Sequence, residues 1–493
     1  MHRHGDGVRR PVPRVVLALA LITGLAVAAA PTAVSAPGHR KVDVRVQRAM
    51  QGGRTGTYWV ILHQRADLSG ANAIKGWNAR GWYVYKRLTQ TAAASQRGLR
   101  ALLARQGARF QAFWIINAIR VTSKAETLSA VAAHPEVARV VPDWKGHVEA
   151  PARSEGESGV ATVEWNIDRI NAPQVWSMYN DRGQNATVAN IDTGVQFDHP
   201  ALKKQYRGIS TFGTTVRHDY NWWDPSHICD PQGRSPCDNQ GHDTHVVGTI
   251  VGDDGGNNQI GVATRAHWIA AKGCESNSCS DAALMSSGQW MLAPTKTDGS
   301  MPRPDLRPQA VNNSWGGPGS DEFYRSIVQS WVAAGIFPVF SVGASGPSCG
   351  TVGAPASYPE SYGVSAFDMS NNIASFASRG PSPIGGIIKP NVTAPGVSIR
   401  SSVPNNNYSI FSGTSFATPH VVGTVALIWT GAPAFRGDIA GTRAIIDQTG
   451  IDVSDLTCGG TPGNNNVYGE GRLDAFAAVT KAKGLSREAH GTG

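Results

Sequence analysis

Residues 41 to about 145 carry short apolar runs separated by stretches of helical composition. The runs have the length of strands and occur at residues 57–62 (TYWVIL), 110–121 and 137–141. The helical stretches cover residues 92–106, which are rich in Ala, Leu, Arg and Gln, and residues 124–133. Two helices among about four strands predict a small ferredoxin-like α/β sandwich for this part of the chain.

The pattern changes at about residue 163. From there, short apolar runs alternate with helical stretches, and the runs lie at residues 186–191, 267–271, 310–312 and 337–342. Such alternation predicts an α/β domain with a parallel sheet covered by helices on both faces. Because the functional groups of these sheets lie beyond the carboxyl ends of strands, we expect the chemistry there.

The two ends of the N-terminal region predict processing. Arginines precede an apolar run at residues 15–30 of about 16 residues, which is shorter than the roughly 20 that a spanning helix needs. Small residues follow as far as Ala36, so we interpret residues 1–36 as a secretory signal peptide rather than a membrane anchor. Residues 151–162, rich in Glu, Ser, Gly and Ala without periodicity, predict an exposed linker where proteolysis would concentrate.

The charge divides along the same boundary. The 493 residues have a net charge of +9, but residues 1–162 carry +14 and residues 163–493 carry −5. A basic whole chain favours a nucleic-acid partner, but that indication fails once the excess lies in segments expected to be removed. We therefore predict no nucleic-acid partner, and instead an electrostatic attraction between the basic segment and the acidic domain that high salt weakens.

The cysteine count agrees with export. All six cysteines lie after residue 163, and an even number in an exported chain predicts disulfides. Fifteen connectivities are open. The short spacings favour Cys229 with Cys237 and Cys274 with Cys279, which leaves Cys349 with Cys458. Zinc binding is the weaker alternative, since no two-residue Cys spacing occurs and the histidines are not grouped with the cysteines.

Three segments carry candidate chemistry. An apolar strand runs into Asp192 in IDTGV, residues 191–195. His242 opens a small-residue helix in HDTHVVGT, residues 242–249, and Ser415 enters an apolar helix in SGTSFATPH, residues 412–420. Each segment alone is weak, because an acid at a strand end is often a turn residue and a serine before a helix is usually an N-cap. The chain order Asp, His, Ser is one of the three known orders of the serine-protease triad.

These segments together resemble the subtilases, the subtilisin-like serine proteases. NNSWGG at residues 312–317 and GEGRLD at residues 469–474 stand where that family has them, and the inserts and cysteine-bearing segments are most similar to its bacillopeptidase F-type members. The resemblance covers roughly residues 163–480. It implies a three-layer α/β/α catalytic domain at residues 163–482 with a C-terminal tail at 483–493, and an inhibitory propeptide at residues 37–150.

The resemblance implies a role for each site residue. Ser415 is the expected nucleophile, His242 its base and then the acid for the leaving amine, and Asp192 the group that orients the imidazole. His245 is expected to be an ordinary helix residue. The implied cleft walls, whose backbone pairs with an extended substrate, contain Ser314, Trp315 and Gly316 on one side and Ser341 and Gly343 on the other.

Two positions depart from the family pattern. The segment that usually supplies an asparagine to the oxyanion hole, beside the nucleophile's own N–H, reads Gly-Ala-Ser-Gly-Pro at residues 343–347, and Ala344 has no side-chain donor. Asp243 replaces the usual glycine after the base. As a carboxylate it would raise the pKa of His242, whereas an acid in the first turn of a helix is also locally favourable. The sequence does not choose between these two effects.

The sequence therefore supports two functions. The first is a secreted, monomeric endopeptidase with reduced activity that cleaves protein or peptide substrates and is inhibited by its own propeptide. The second is an inactive, peptide-binding pseudoprotease. The resemblance implies no required cofactor and no membrane partner for the mature form. Subtilases often bind structural calcium, but no calcium ligand set is assignable here, and no metal site is predicted.

Overall fold

The computed structural model describes residues 41–149, 152–153, 163–210 and 215–491. The predicted signal peptide and most of the predicted linker lie outside these residues. We call residues 41–149 the N-terminal part and residues 163–491 the C-terminal part. In the described residues, no helix is long and apolar enough to cross a membrane.

The N-terminal part contains an antiparallel four-stranded sheet. Gly56–Leu62 is a central strand, paired with Ala118–Ser123 on one side and with Val137–Pro142 on the other, and Arg109–Phe113 forms one edge. The α-helices of this part are Val44–Ala49, Trp77–Ser95, Arg97–Arg105 and Ala125–Ala133, and short 3-10 turns occur at Gln51–Gly53 and Ser69–Ala73. The ferredoxin-like assignment and the propeptide role of this part stay predictions.

The central strand explains why residues 57–62 are apolar without a break. Tyr58, Val60 and Leu62 pack in a core of the N-terminal part, whereas Trp59 and Ile61 pack in a core shared with the C-terminal part. A strand buried on both faces needs no polar alternation. The apolar run at residues 57–62 therefore contributes both to the core of the N-terminal part and to its contact with the C-terminal part.

The C-terminal part is built on a seven-stranded parallel sheet. Its strands, in spatial order, are Val392–Pro395, Tyr362–Phe367, Phe337–Ser341, Ala310–Asn313, Thr187–Asp192, His267–Lys272 and Trp222–Trp223. The predicted α/β fold with a parallel sheet between helices is confirmed. All four strands predicted for this part are present, with ends that differ by at most one residue.

Helices cover both faces of this sheet. One hydrophobic core lies between one face of the sheet and the helices His242–Val251 and Thr414–Gly431. The other core lies between the opposite face and the helices Asp281–Leu292 and Arg325–Ala334. The remaining helices are Trp165–Arg169, Ala172–Tyr179, Ile439–Asp447 and Ala475–Gly491, with 3-10 turns at Lys203–Gln205, Pro304–Leu306 and Pro433–Phe435. Ala475–Gly491 continues past residue 482, so the predicted start of the C-terminal tail falls inside a helix.

Two small sheets complete the fold. Ile399–Val403 and Asn407–Ser412 form a hairpin that also pairs with Ala152–Arg153, so two residues of the predicted linker form a strand next to the segment that leads to Ser415. Lys145–His147 pairs with Ser278–Ser280 across the two parts. The structure has three disulfides, Cys229–Cys237, Cys274–Cys279 and Cys349–Cys458, which is the pairing that the spacings favour.

Candidate active site

Three adjacent strands of the parallel sheet end at the same edge. Asp192 is the last residue of its strand, Ser314 follows the neighbouring strand, and Ser341 ends the next one. Parallel strands present their carboxyl ends together, so the fold gathers residues that are far apart in sequence. These three residues therefore lie at one edge of the sheet.

Asp192 and His242 form a buried pair. His242 Nδ1 lies 2.9 Å from Asp192 Oδ1, and both side chains are 0% exposed. The N–H of Thr193 also donates to Asp192 Oδ1, at 2.7 Å. With the Nδ1 proton directed at the carboxylate, the neutral imidazole keeps Nε2 as an acceptor. Nε2 is buried and has no hydrogen-bond partner among the described residues.

Ser415 is fixed at the start of a buried helix, Thr414–Gly431. Pro419 lies in the second turn of this helix and has no N–H, so the Ser415 carbonyl lacks its usual partner. Ser314 Oγ donates to that carbonyl at 2.9 Å, and Ser415 Oγ donates in return to the Ser314 carbonyl at 3.2 Å. The backbone N–H of Ser415 belongs to the first turn, whose N–H groups have no partner within the helix.

The other two histidines of these motifs are structural. His245 Nε2 lies 3.0 Å from the Ile399 carbonyl, its ring stacks on Phe411, and burial lowers its pKa to about 3. His420 Nε2 lies 2.9 Å from Asn166 Nδ2, and burial lowers its pKa to about 4. Both imidazoles are therefore neutral near pH 7 and packed within the fold.

Asp243 points into the protein, where it links the helix to the neighbouring strand and turn. Asn190 Nδ2 donates to Asp243 Oδ1 at 2.5 Å, and the N–H of Gly194 donates to Oδ2 at 3.2 Å. Burial and the nearby charge of Asp192 raise the pKa of Asp243 well above its ordinary value, which favours the neutral carboxyl. A neutral acid does not attract a proton to His242, so the structure supports a local structural role for Asp243.

Ala344 presents its backbone N–H to the N-terminal part. The residue is exposed, and its N–H donates to Glu149 Oε1 at 2.6 Å. Burial raises the pKa of Glu149, while this hydrogen bond and the nearby His147 and His242 act in the opposite direction. The N–H of Ser345 is already used, since it donates to Ser378 Oγ at 3.0 Å. The methyl group of Ala344 supplies no donor in place of the family's asparagine.

The segment that ends in Glu149 lies along the cleft as a strand. His147 exchanges two backbone hydrogen bonds with Gly316, at 3.0 and 3.1 Å, and the N–H of Val148 donates to the Asn277 carbonyl at 2.9 Å. On its other edge, the strand pairs with Ser278–Ser280, which the Cys274–Cys279 disulfide braces. The backbone of residues 145–148 thus runs between two walls of the C-terminal part.

A cavity of about 270 Å³ lies beside this strand. All five predicted cleft residues line it, namely Ser314, Trp315, Gly316, Ser341 and Gly343, together with His147 and Glu149 from the N-terminal part. Sequence reasoning did not find three contributors to the site, which are Glu149, the wall at residues 277–280 and Asn190. Glu149 and residues 277–280 act through the docking of the two parts or through backbone atoms, and Asn190 acts through a side-chain contact with the distant Asp243, so no local motif marks them.

No group of three or more His, Cys, Asp or Glu side chains that could hold a metal ion occurs in the described part of the chain. The guanidinium group of Arg400 joins two segments of the C-terminal part. Arg400 donates to Glu164 Oε1 at 2.8 Å and to Asn258 Oδ1 at 2.7 Å. The guanidinium therefore ties the start of the C-terminal part to the loop at residue 258.

An acid, an imidazole and a hydroxyl at the carboxyl edge of a parallel α/β sheet are typical of serine hydrolases. The model of the subtilase family matches residues 183–471, and the chain belongs to this family of serine proteases. Bacillopeptidase F of Bacillus subtilis (strain 168) is 39% identical over 389 residues, which are 76% of this chain but only 26% of that protein.

Shorter relatives match over nearly their full length. Subtilisin E of Bacillus subtilis (strain 168) is 28% identical over 417 residues, 84% of this chain and 94% of that protein. Subtilisin of Bacillus pumilus is 30% identical over 321 residues, 64% of this chain and 99% of that protein. The chain thus shares the whole length of the subtilisins, but spans about a quarter of Bacillopeptidase F.

Proposed function

We propose that this chain is a secreted serine endopeptidase made as a precursor, in which residues 37–150 act as an inhibitory propeptide. The observation that carries the proposal is the buried 2.9 Å contact between His242 Nδ1 and Asp192 Oδ1 at the sheet edge where Ser415 begins its helix. The strand ending at Glu149 supports the inhibited form, because it fills the cleft in an extended conformation.

The proposed reaction uses the three groups in sequence. Ser415 Oγ rotates away from the Ser314 carbonyl, loses its proton to His242 Nε2 and attacks the carbonyl carbon of the substrate. The imidazolium, stabilised by Asp192, protonates the leaving amine as the peptide C–N bond breaks and the acyl-enzyme ester forms. Water then adds to the ester with His242 as base, which releases the acid and restores the Ser415 hydroxyl.

Reduced activity is part of the proposal. The developing oxyanion can take a hydrogen bond from the Ser415 N–H, but the side chain at position 344 cannot supply the second one. Ser341 and Ser345 both line the cavity, and their hydroxyls are the nearby candidates for a replacement donor. Catalysis should therefore be slower than in relatives that have the asparagine, while the order of steps is the same.

The alternative is a peptide-binding protein without activity. It is favoured by the absent donor at Ala344, by the Ser415 hydroxyl that donates to Ser314 rather than to His242, and by the strand in the cleft. Labelling by a fluorophosphonate separates the two functions, because the reagent reacts only with an activated serine. We expect a mass increase on the peptide that contains Ser415 and none in Ser415→Ala. An unlabelled wild-type protein that has lost its N-terminal part would favour the alternative.

The contact between the two parts supports an inhibitor held mainly by burial. One ion pair within the described residues joins them, from Arg120 Nε to Asp281 Oδ1 at 3.7 Å. Asp281 Oδ2 also accepts hydrogen bonds from Trp59 Nε1 at 2.6 Å and from the N–H of Trp144 at 2.8 Å. The two parts have opposite net charges but form few direct ion pairs with each other. We therefore expect high salt to weaken the contact between them only slightly.

Asp281 makes the stability of the precursor depend on pH. Burial raises its pKa from 3.8 to about 6, with a further contribution from Asp143. Because the folded pKa is the higher one, this carboxyl favours folding most below pH 3.8, and the contribution is lost as pH rises through about 6. The loss amounts to at most about 3 kcal/mol.

We expect Asp281→Asn, made in the full-length Ser415→Ala chain, to lose less stability between pH 5 and pH 8 than its parent. Urea unfolding at the two pH values measures this difference. The exposed Asp298→Asn should behave like the parent. An Asp281→Asn chain whose stability falls as steeply as that of the parent would show that Asp281 does not set the pH dependence.

A further inference from the structure

Glu149 occupies a defined place in the cleft. Its backbone follows the paired segment of residues 145–148, and Glu149 lines the cavity together with Ser314–Gly316 from one wall and Ser341 and Gly343 from the other. If residues 145–149 lie as a substrate would, Glu149 is the residue whose carbonyl the nucleophile attacks. We propose that this pocket recognises glutamate, so that the enzyme cleaves on the carboxyl side of Glu. The inference rests on the proposed function and adds the substrate class to it.

The carboxylate has a specific hydrogen-bond donor. The N–H of Ala344 lies 2.6 Å from Glu149 Oε1, and a backbone N–H donates equally well to a carboxylate of a cleaved substrate. A charge-assisted bond of this kind is stronger than one between neutral groups. A leucine or phenylalanine side chain in the same place would leave this N–H without its partner.

The surrounding wall contains hydroxyl groups and no opposing charge. Ser345, Thr351 and Ser378 line the cavity with their hydroxyl-bearing side chains, and the lining residues of the C-terminal part include no carboxylate. A negative side chain therefore meets dipoles and no like charge.

Gly343 leaves room for the carboxylate. It has a φ of +97°, in the region that favours glycine, and a Cβ built on it would lie 3.5 Å from Glu149 Oε1 and 3.2 Å from Ser378 Oγ. Any larger side chain at position 343 would compete for the space that the carboxylate occupies. The wall thus has a backbone N–H donor at position 344, and the preceding residue, Gly343, has no side chain to fill the adjacent space.

The first experiment measures substrate preference. Full-length protein is expressed and allowed to process, and kcat/KM is measured on a series of peptides Trp-Lys-Gly-His-Val-X with a fluorogenic amide after X, where X is Glu, Gln, Leu or Lys. We expect Glu to exceed Leu and Lys by about 10-fold or more, as for one charge-assisted hydrogen bond, with Gln between them. A value for Leu or Lys equal to or above that for Glu overturns the proposal.

The second experiment needs no catalysis. In the full-length Ser415→Ala chain, Glu149 is changed to Gln, which keeps an acceptor, or to Leu, which does not. We expect Glu149→Leu to lower Tm by about 1–3 °C and Glu149→Gln to lower it less. A Tm for Glu149→Leu equal to or above that of the parent overturns glutamate recognition. If no peptide is cut and the fluorophosphonate does not label Ser415, the proposed function fails, and this second experiment still decides the preference of the pocket.

Discussion

We expect Ser415→Ala to lower kcat/KM on a peptide substrate by at least about 10³-fold. The substitution removes the atom that forms the acyl-enzyme, and the members of a triad act as a unit, so the remaining His242 and Asp192 cannot compensate. Under the proposed function, the expected loss is smaller than in a relative that has the oxyanion asparagine, because Ala344 has no side-chain donor to contribute to the wild-type rate. Any residual rate would come from substrate binding and from stabilisation of the oxyanion by the backbone N–H of residue 415, which alanine keeps.

The control for this prediction is a serine outside the site. Ser409 lies in the neighbouring hairpin strand Asn407–Ser412, and Ser409→Ala should keep nearly the full rate. Ser409→Ala should show the circular dichroism of the processed wild-type chain, and Ser415→Ala that of the folded, uncut precursor. Equal kcat/KM values for Ser415→Ala and the wild type would mean that Ser415 is not the nucleophile.

We expect Ala344→Asn to raise kcat by about 10²–10³-fold, with little change in KM. An asparagine amide donates to the oxyanion only once the tetrahedral intermediate forms, so its contribution appears in kcat, and loss of one such donor costs about that factor in a subtilisin. Ala344 is exposed, so the larger side chain needs no repacking of the core. Turnover of a saturating peptide substrate measures the gain.

Ala344→Leu is the matched control, since it adds bulk at the same position without a donor and should give no gain. Adding Asp243→Gly to Ala344→Asn should also give little, because the Asp243 carboxyl is bound to Asn190 and Gly194. That second change leaves two buried donors unpaired, at about 1–3 kcal/mol each. An unchanged kcat in Ala344→Asn would mean that another group already supplies the second donor.

The sequence predicts the architecture around the sheet well, because its strands are short apolar runs with polar residues at their ends. The placement of Asp192, His242 and Ser415 follows from the same pattern, combined with the chain order of the motifs. A continuous apolar run predicts a buried strand, but it does not predict which part of the protein packs on each face of that strand. The run at residues 57–62 identifies a strand, but only the structure shows that Trp59 and Ile61 face the C-terminal part.

The helix Trp77–Ser95 shows why part of the fold is missed. Its first half contains Gly81 and several aromatic residues of modest helix propensity, so composition places the helix only from residue 92 onward. Burial of Gly81, Val84, Leu88 and Ala92 nevertheless follows helical spacing. This buried side of the helix lies against Arg307, whose guanidinium donates to the Trp77 carbonyl at 2.8 Å. Tertiary docking decides this helix more than local propensity does.

The two departures from the family pattern differ in how far sequence alone resolves them. Ala344 lacks a side-chain donor whatever the surroundings are, so the absence of that donor is predictable from the residue type. The effect of Asp243 depends on whether its carboxyl is charged and on where it points. Its hydrogen bonds to Asn190 and Gly194, and its raised pKa, are properties of the folded chain.

The proposed function and the proposed preference for glutamate together predict that Ser415, His242 and Asp192 cut this chain after Glu149, which lies in their own cleft. Mass spectrometry of the secreted wild-type and Ser415→Ala proteins tests this claim most directly. For the wild type we predict an N-terminal fragment that ends at Glu149 and a product that begins at Ala150, whereas Ser415→Ala stays joined at this bond. A wild-type chain that stays joined, or a Ser415→Ala chain cut at the same bond to the same extent, would contradict the account.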